Sequence, residues 1–264
     1  MLPSITTLPL LLLASILPPT HAQPACNGHP ALCARQYSNI TQIGTHDSAF
    51  IGALPQDNQD QPLTTQLNAG IRFLQAQTHV NPFGTLSLCH TSCYLLDAGS
   101  LTSYLSTVKT WLDANPSEPR PLHLTAWPTL QDLITANTRL VFFLDYGASP
   151  PTYPYILDEF AYFFETPYDT TDPAFAECTL DRPPDASPDG RMYIINHFLD
   201  VSFLGVEVPD NAADATTNAA TGVGSVGAQA DLCVGMYGRA PKGVLVDFWE
   251  KGSVLEAQDR LNGV

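Results

Sequence analysis

Four ionisable side chains stand where apolar runs end. His46 and Asp47 lie in Gly44-Thr45-His46-Asp47-Ser48, His90 in Leu88-Cys89-His90, and Asp247 in Val246-Asp247-Phe248. Two imidazoles and a carboxylate suffice for acid–base chemistry. One imidazole takes a proton from a nucleophilic hydroxyl, the carboxylate fixes its tautomer, and the second imidazole protonates the leaving oxygen. That division of labour suits cleavage of a phosphodiester by an internal hydroxyl. Asp145, Asn196 and His197 also close apolar runs and are candidates for substrate contact. No Gly-x-Ser-x-Gly elbow argues for an esterase, and no His-Glu-x-x-His argues for zinc. No metal site and no cofactor are expected.

These residues need strands that end at a common rim. Tyr37–Ile43, 71–80, Leu86–His90, Leu140–Tyr146, Met192–Phe198 and Gly243–Trp249 read as strands, several of them continuously apolar as in parallel sheets. Between them, Leu63–Ala69 with Gly70 after it, Ser100–Asn115, Leu130–Ala136 and Ser253–Leu261 read as helices. Leu122–Thr125 is a poorly marked strand. Pro55–Pro62 reads as a surface loop, 148–190 as loop with a short helix near Tyr155–Phe164, and Ala212–Ala230 as loop with or without a helix. Strands alternating with helices, with polar groups repeatedly at strand ends, describe an α/β barrel mouth.

The first 22 residues read as a signal peptide, with an apolar run from Leu8 to Leu17 and a small-residue cleavage pattern at Thr20-x-Ala22. Residues 23–264 are expected to form one domain of a secreted protein. Six cysteines behind such a segment read as three disulfides. Proximity favours Cys26–Cys33 and Cys89–Cys93, leaving Cys178–Cys233. Asn39-Ile40-Thr41 is a glycosylation sequon. A formal net charge of −15 repels phosphate backbones and anionic membranes, so no nucleic-acid partner and at most transient membrane contact are expected. A monomer is expected.

Read together, Gly44-Thr45-His46-Asp47-Ser48, Gly70-Ile71-Arg72-Phe73-Leu74, Leu88-Cys89-His90, Asn115-Pro116-Ser117-Glu118 and Val246-Asp247-Phe248 resemble, in order and spacing, the X domain of phosphatidylinositol-specific phospholipase C and its phosphodiesterase relatives. The likeness spans about residues 37 to 261 and is nearest to secreted fungal members. It implies a TIM-like, distorted β/α barrel that cleaves a phospholipid or another phosphodiester. It further implies His46 as general base supported by Asp247, His90 as general acid, and Asp47 beside the leaving group or the phosphate. Two departures stand out. Gln75 and Gln77 occupy positions where metal-dependent relatives carry acidic calcium ligands, and bacterial relatives an arginine at the position of Gln77. Neutral amides can hydrogen-bond a phosphate but cannot neutralise it. The stretch from Pro119 to Trp127 is short and proline-rich, which points to one abbreviated barrel unit. The alternative is an inactive secreted barrel that binds an inositol or glycan head group. A third reading, a sphingomyelinase D-like lipase, requires acidic metal ligands that are missing.

Overall fold

The computed structural model describes residues 25–115, 127–203 and 205–264. The expected signal peptide, the strand at Leu122–Thr125, the Pro116-Ser117-Glu118 part of the signature and nearly all of the short 119–127 stretch lie outside the described residues.

In chain order the elements are β1 (Gln42–Thr45), α1 (Leu63–Ala69), β2 (Phe73–Leu74), β3 (Thr78–Val80), β4 (Leu86–Cys89), β5 (Asp97–Ser100) and α2 (Leu101–Ala114). They continue with α3 (Leu130–Thr135), β6 (Phe142–Leu144), β7 (Ile156–Asp158), α4 (Glu159–Tyr162), β8 (Phe163–Glu165) and β9 (Met192–Asn196). The chain ends with β10 (Asp200–Phe203), β11 (Val206–Pro209), α5 (Asp214–Thr217), α6 (Val226–Tyr237), β12 (Gly243–Val246) and α7 (Val254–Asn262). The central sheet has the order β2-β1-β12-β9-β8, and every pair in it is parallel.

Both faces of this sheet are covered, which is why its strands read as unbroken apolar runs. Side chains alternate between the faces. Ile43, Tyr193, Ile195, Val244 and Val246 pack with Val226 and Ala230 of α6 and Val254 and Ala257 of α7. Met192, Ile194 and Leu245 point the other way, into Phe163, Tyr37, Leu32 and Leu130. The segment clasped by Cys26–Cys33 and helix α3 therefore close the second face. Gly44 sits where β1 crosses Phe73 and Leu245; a Cβ there would lie 2.7 Å from the Phe73 ring. All three disulfides follow the pairing favoured by proximity.

Several expectations need correction. Tyr37–Asn39 is a 3₁₀ turn, so the first strand is four residues long. Residues 71–80 break into β2 and β3, and β3, β4 and β5 form a separate antiparallel sheet. Phe142–Leu144 is half-buried and, among the described residues, pairs with β7 alone. Phe163–Glu165, expected as helix or loop, is an edge strand of the central sheet. Among the described residues the ladder does not close into a continuous barrel, since β2 and β8 are its edges. Asp57, Asn58 and Gln59, expected on a surface loop, are buried. The Ala212–Ala230 stretch holds α5 and the start of α6.

Candidate active site

The parallel register of β1 and β12 brings His46 and Asp247 to the same rim. Thr45 pairs with Val246, and the His46 N–H donates to the Val246 carbonyl. His46 Nδ1 lies 2.9 Å from Asp247 Oδ1. A carboxylate only accepts, so Nδ1 carries a proton and Nε2 faces the opening. Across that opening Nε2 stands 3.5 Å from Asp47 Oδ2, and His90 Nε2 stands 3.6 Å from the same oxygen. One buried carboxylate oxygen thus separates two half-buried imidazoles.

Asp47 is held by the end of β2. Gln77 donates to it twice, from its backbone N–H (3.2 Å) and from Nε2 (3.0 Å). Gln75 Oε1 accepts the Asp47 N–H at 2.7 Å, and the Ser48 hydroxyl donates to the Gln75 carbonyl. Gln77 Oε1 also accepts the Thr91 N–H, the residue after His90. The two glutamines therefore tie the His46 turn to the His90 turn. His90 itself lies inside the loop closed by the Cys89–Cys93 disulfide, and the Thr91 hydroxyl lies 3.2 Å from His90 Nδ1.

Backbone strain marks the same places. Asp47, Thr91 and Phe248 have φ of 44°, 57° and 40°. They immediately follow His46, His90 and Asp247. Non-glycine residues in this region cost roughly 1 kcal/mol or more each and persist where the surroundings hold them.

Sequence reasoning missed several residues that build this site. Asn58 Nδ2 donates to both oxygens of Asp247, at 3.2 Å each. Gln59 Nε2 donates to the His46 and Val246 carbonyls. Phe198 stacks on His46, ring centroids 3.7 Å apart. Phe50 meets His90 edge-on at 5.2 Å. Tyr104 bonds the Ser48 hydroxyl at 2.7 Å. The Gln-rich composition of 55–62 was the available signal for Asn58 and Gln59. Phe198 had a weaker one, its position just past β9.

The electrostatics are acidic. Burial opposes the His46 charge, but Asp47, Asp247 and Asp200 outweigh it and raise His46 to about 9. Burial raises Asp47, against the pull of the two histidines. Asp200, four residues past β9, is raised to about 7 by burial and by Asp247, and Asp169 is raised mainly by burial. Both shifts favour the protonated forms, of His46 and of Asp47.

The remaining candidates fall elsewhere. His197 is fully buried, Nδ1 2.6 Å from Gln229 Oε1 and Nε2 2.9 Å from the Thr217 carbonyl, with its ring stacked on Phe175. It is a packing residue rather than a substrate contact. Asn196 is also buried and spends its amide on Glu165 Oε2 and the Thr166 carbonyl. Asp145 accepts the adjacent Tyr146 N–H and makes no hydrogen bond to the histidine cluster.

The only group of metal-ligand type that converges among the described residues is Cys89, Cys93 and Asp97, and those cysteines are joined to each other. Asp47 and Asp247 stand on opposite sides of His46, and the β2 positions nearest Asp47 are amides. This donor set does not fit a hard divalent cation.

The PI-PLC X family model matches residues 32–125 and 117–262. The "PI-PLC X domain-containing protein 1" of Arthroderma benhamiae is 46% identical over 280 residues, covering 93% of this chain and 92% of that protein. An "uncharacterized secreted protein" of the same organism is 40% identical, covering 93% of this chain and 65% of its own length. Among solved structures, the phosphatidylinositol-specific phospholipase C of Listeria monocytogenes aligns with a TM-score of 0.54 at 16% identity, over 87% of this chain and 95% of that one. A mutant of the Staphylococcus aureus enzyme gives 0.54 at 14%, over 86% and 94%.

Proposed function

The chain belongs to the PI-PLC X family, and we propose that it is a secreted, metal-independent phosphodiesterase that cleaves a phospholipid or related phosphodiester with His46, Asp47, His90 and Asp247. The observation that carries this is the pair of imidazole Nε2 atoms set against one carboxylate oxygen, 3.5 and 3.6 Å away. Asp247 holds His46 with Nε2 available, and Nε2 takes the proton of the attacking hydroxyl, which in an inositol substrate is the neighbouring 2-hydroxyl. The bond from phosphorus to that hydroxyl oxygen forms as the bond to the alcohol oxygen breaks. His90 Nε2 gives its proton to the departing oxygen. Asp47 sits between the two, and His46 must lose its Nε2 proton before it acts as base. Hence kcat/KM is expected to pass through a maximum with pH, since the base must have lost its proton while the acid still holds its own. The separate sheets are read as arcs of one distorted barrel with an abbreviated unit.

The second reading, a head-group-binding protein without turnover, draws on the neutral donors around Asp47. Gln77 offers amides where a cation would stabilise the transition state better.

Cleavage of phosphatidylinositol micelles, with and without chelator, separates the two. The wild type is expected to cleave regardless of chelator, and His46→Ala and His90→Ala each to lose at least about 100-fold. A folded wild type that binds the micelles without cleaving them moves the conclusion to the binding protein.

A further inference from the structure

Asn39-Ile40-Thr41 is the only usable Asn-x-Ser/Thr sequence in the chain, since the proline in Asn115-Pro116-Ser117 bars that one. Its two ends meet different surroundings. Tyr37 and Ile40 are buried and pull the 3₁₀ turn Tyr37–Asn39 onto the core. Asn39, at the end of that turn, is exposed, and its side-chain amide makes no hydrogen bond among the described residues. Thr41 is the reverse, only 2% exposed. Its hydroxyl donates to the Pro241 carbonyl at 2.7 Å, its N–H donates to Asn262 Oδ1, and its carbonyl accepts from Asn262 Nδ2. In the folded protein the acceptor amide is open, while the hydroxyl that an attaching enzyme must read is sealed.

A sequon beside a strand is lost if the strand pairs early. Here the pairing comes late. The Gln42 N–H donates to the Lys242 carbonyl and the Ile43 N–H to Gln258 Oε1. Strand β2, made sooner, is in register only with Gly44 and Thr45. The backbone donors from Thr41 to Ile43 and the Thr41 hydroxyl thus all wait for residues 241–262 of a chain of 264. Thr41 and Pro241 are 200 residues apart. At about 5–20 residues per second of synthesis, the sequon stays unsealed for about 10–40 s.

We propose that Asn39 carries an N-linked oligosaccharide, attached during synthesis before β12 and α7 seal Thr41. In that step Asn39 Nδ2 bonds to the anomeric carbon of a lipid-pyrophosphate-linked oligosaccharide. The bond from that carbon to the pyrophosphate oxygen breaks, and the amide gives up one proton. The proposal rests on the secreted reading, because the donor lies in the oxidising lumen where disulfides form, and it is independent of the phosphodiesterase reading. The position also suits the candidate active site. Asn39 precedes β1 and His46 follows it, so four residues of strand, about 13 Å, separate the two. The glycan shields the end of the sheet opposite the histidines and leaves their opening clear.

The test is expression of the full chain in a eukaryotic secretory host, with peptide mass mapping before and after peptide N-glycosidase. The peptide that holds Asn39 is expected to be glycosylated, and the digestion to leave an aspartate where the asparagine stood. Asn39→Gln, a change at an exposed side chain, should be secreted and show no mass step. For the order of events, unglycosylated chain from a bacterial host, folded with its disulfides closed, is offered the lipid-linked donor and the transferase beside the same chain reduced and unfolded. Only the unfolded chain is expected to be modified. A secreted wild type with a bare Asn39 would overturn the proposal, and equal modification of the folded chain would overturn its timing. A wild type kept inside the cell and unmodified would remove the secreted reading and the proposal with it.

Discussion

At His46 two carboxylates act against desolvation and win. Burial alone would discharge the ring, but Asp247 at 2.9 Å and Asp47 at 3.5 Å raise its pKa to about 9. Removing one of them should show in the ring's titration. Asp247→Asn is expected to move the His46 midpoint down toward its ordinary value near 6.5, and to cut kcat/KM by about 100-fold or more through loss of the fixed tautomer. Imidazole proton–nitrogen NMR follows the first effect and turnover the second. An unmoved midpoint would remove Asp247 from its assigned role. Asn58, which donates to both Asp247 oxygens, is the residue that keeps that carboxylate aimed.

At the scale of elements, the tight spot is the crossing of β1 with β2 and β12. Gly44→Ala would press a methyl group to within 2.7 Å of Phe73 and 2.9 Å of Leu245. Overpacking of this kind costs about 1–3 kcal/mol. The melting temperature should fall by about 2–4 °C for each kcal/mol in a chain of this size, and a melting curve checks it. Activity should fall too, since Thr45 leads directly into His46. Elements with strong local signals were legible in the sequence: α1 with Gly70 after it, α2 with Ser100 before it, and the apolar runs of β9 and β12. Strand ends therefore gave His46, Asp47, His90 and Asp247. What was illegible depended on tertiary placement. His197 ends an apolar strand as convincingly as Asp247 does, yet it turns into the helix layer, where Gln229 meets it. Asn58 and Gln59 look like loop polars because nothing local says that their loop folds beneath the rim. Phe163–Glu165 is too short to show a period.

Across the whole molecule, acidic groups are buried without full compensation. Asp214 is buried, its Oδ2 accepts no hydrogen bond among the described residues, and Lys251 reaches it only at 3.9 Å. Burial, with Asp247, Asp210 and Glu250 nearby, raises it to about 7. A carboxyl whose folded pKa is raised favours folding most below its unfolded value near 4, and that contribution is lost as pH rises through about 7. Asp200 behaves alike, and His46 extends the loss to about 9. Lys242, buried over the Tyr37 ring with its pKa lowered, works in the opposite direction. A variant isolates one group from this sum. Asp214→Asn should melt as the wild type does at pH 4 and melt higher at pH 8, so the gap between the two melting curves widens with pH. A gap that stays constant would show that Asp214 does not titrate in this range.

The Cys89–Cys93 loop has a consequence in time as well as in space. It encloses His90, the proposed proton donor, whose place is set only once that bond has closed. Cys89→Ser with Cys93→Ser should therefore lower kcat while Tm changes little, and an unchanged kcat would dismiss the idea. If it holds, a freshly made chain in a reducing compartment is an unarmed precursor. Oxidation would then do for this loop what proteolytic removal of a propeptide does elsewhere.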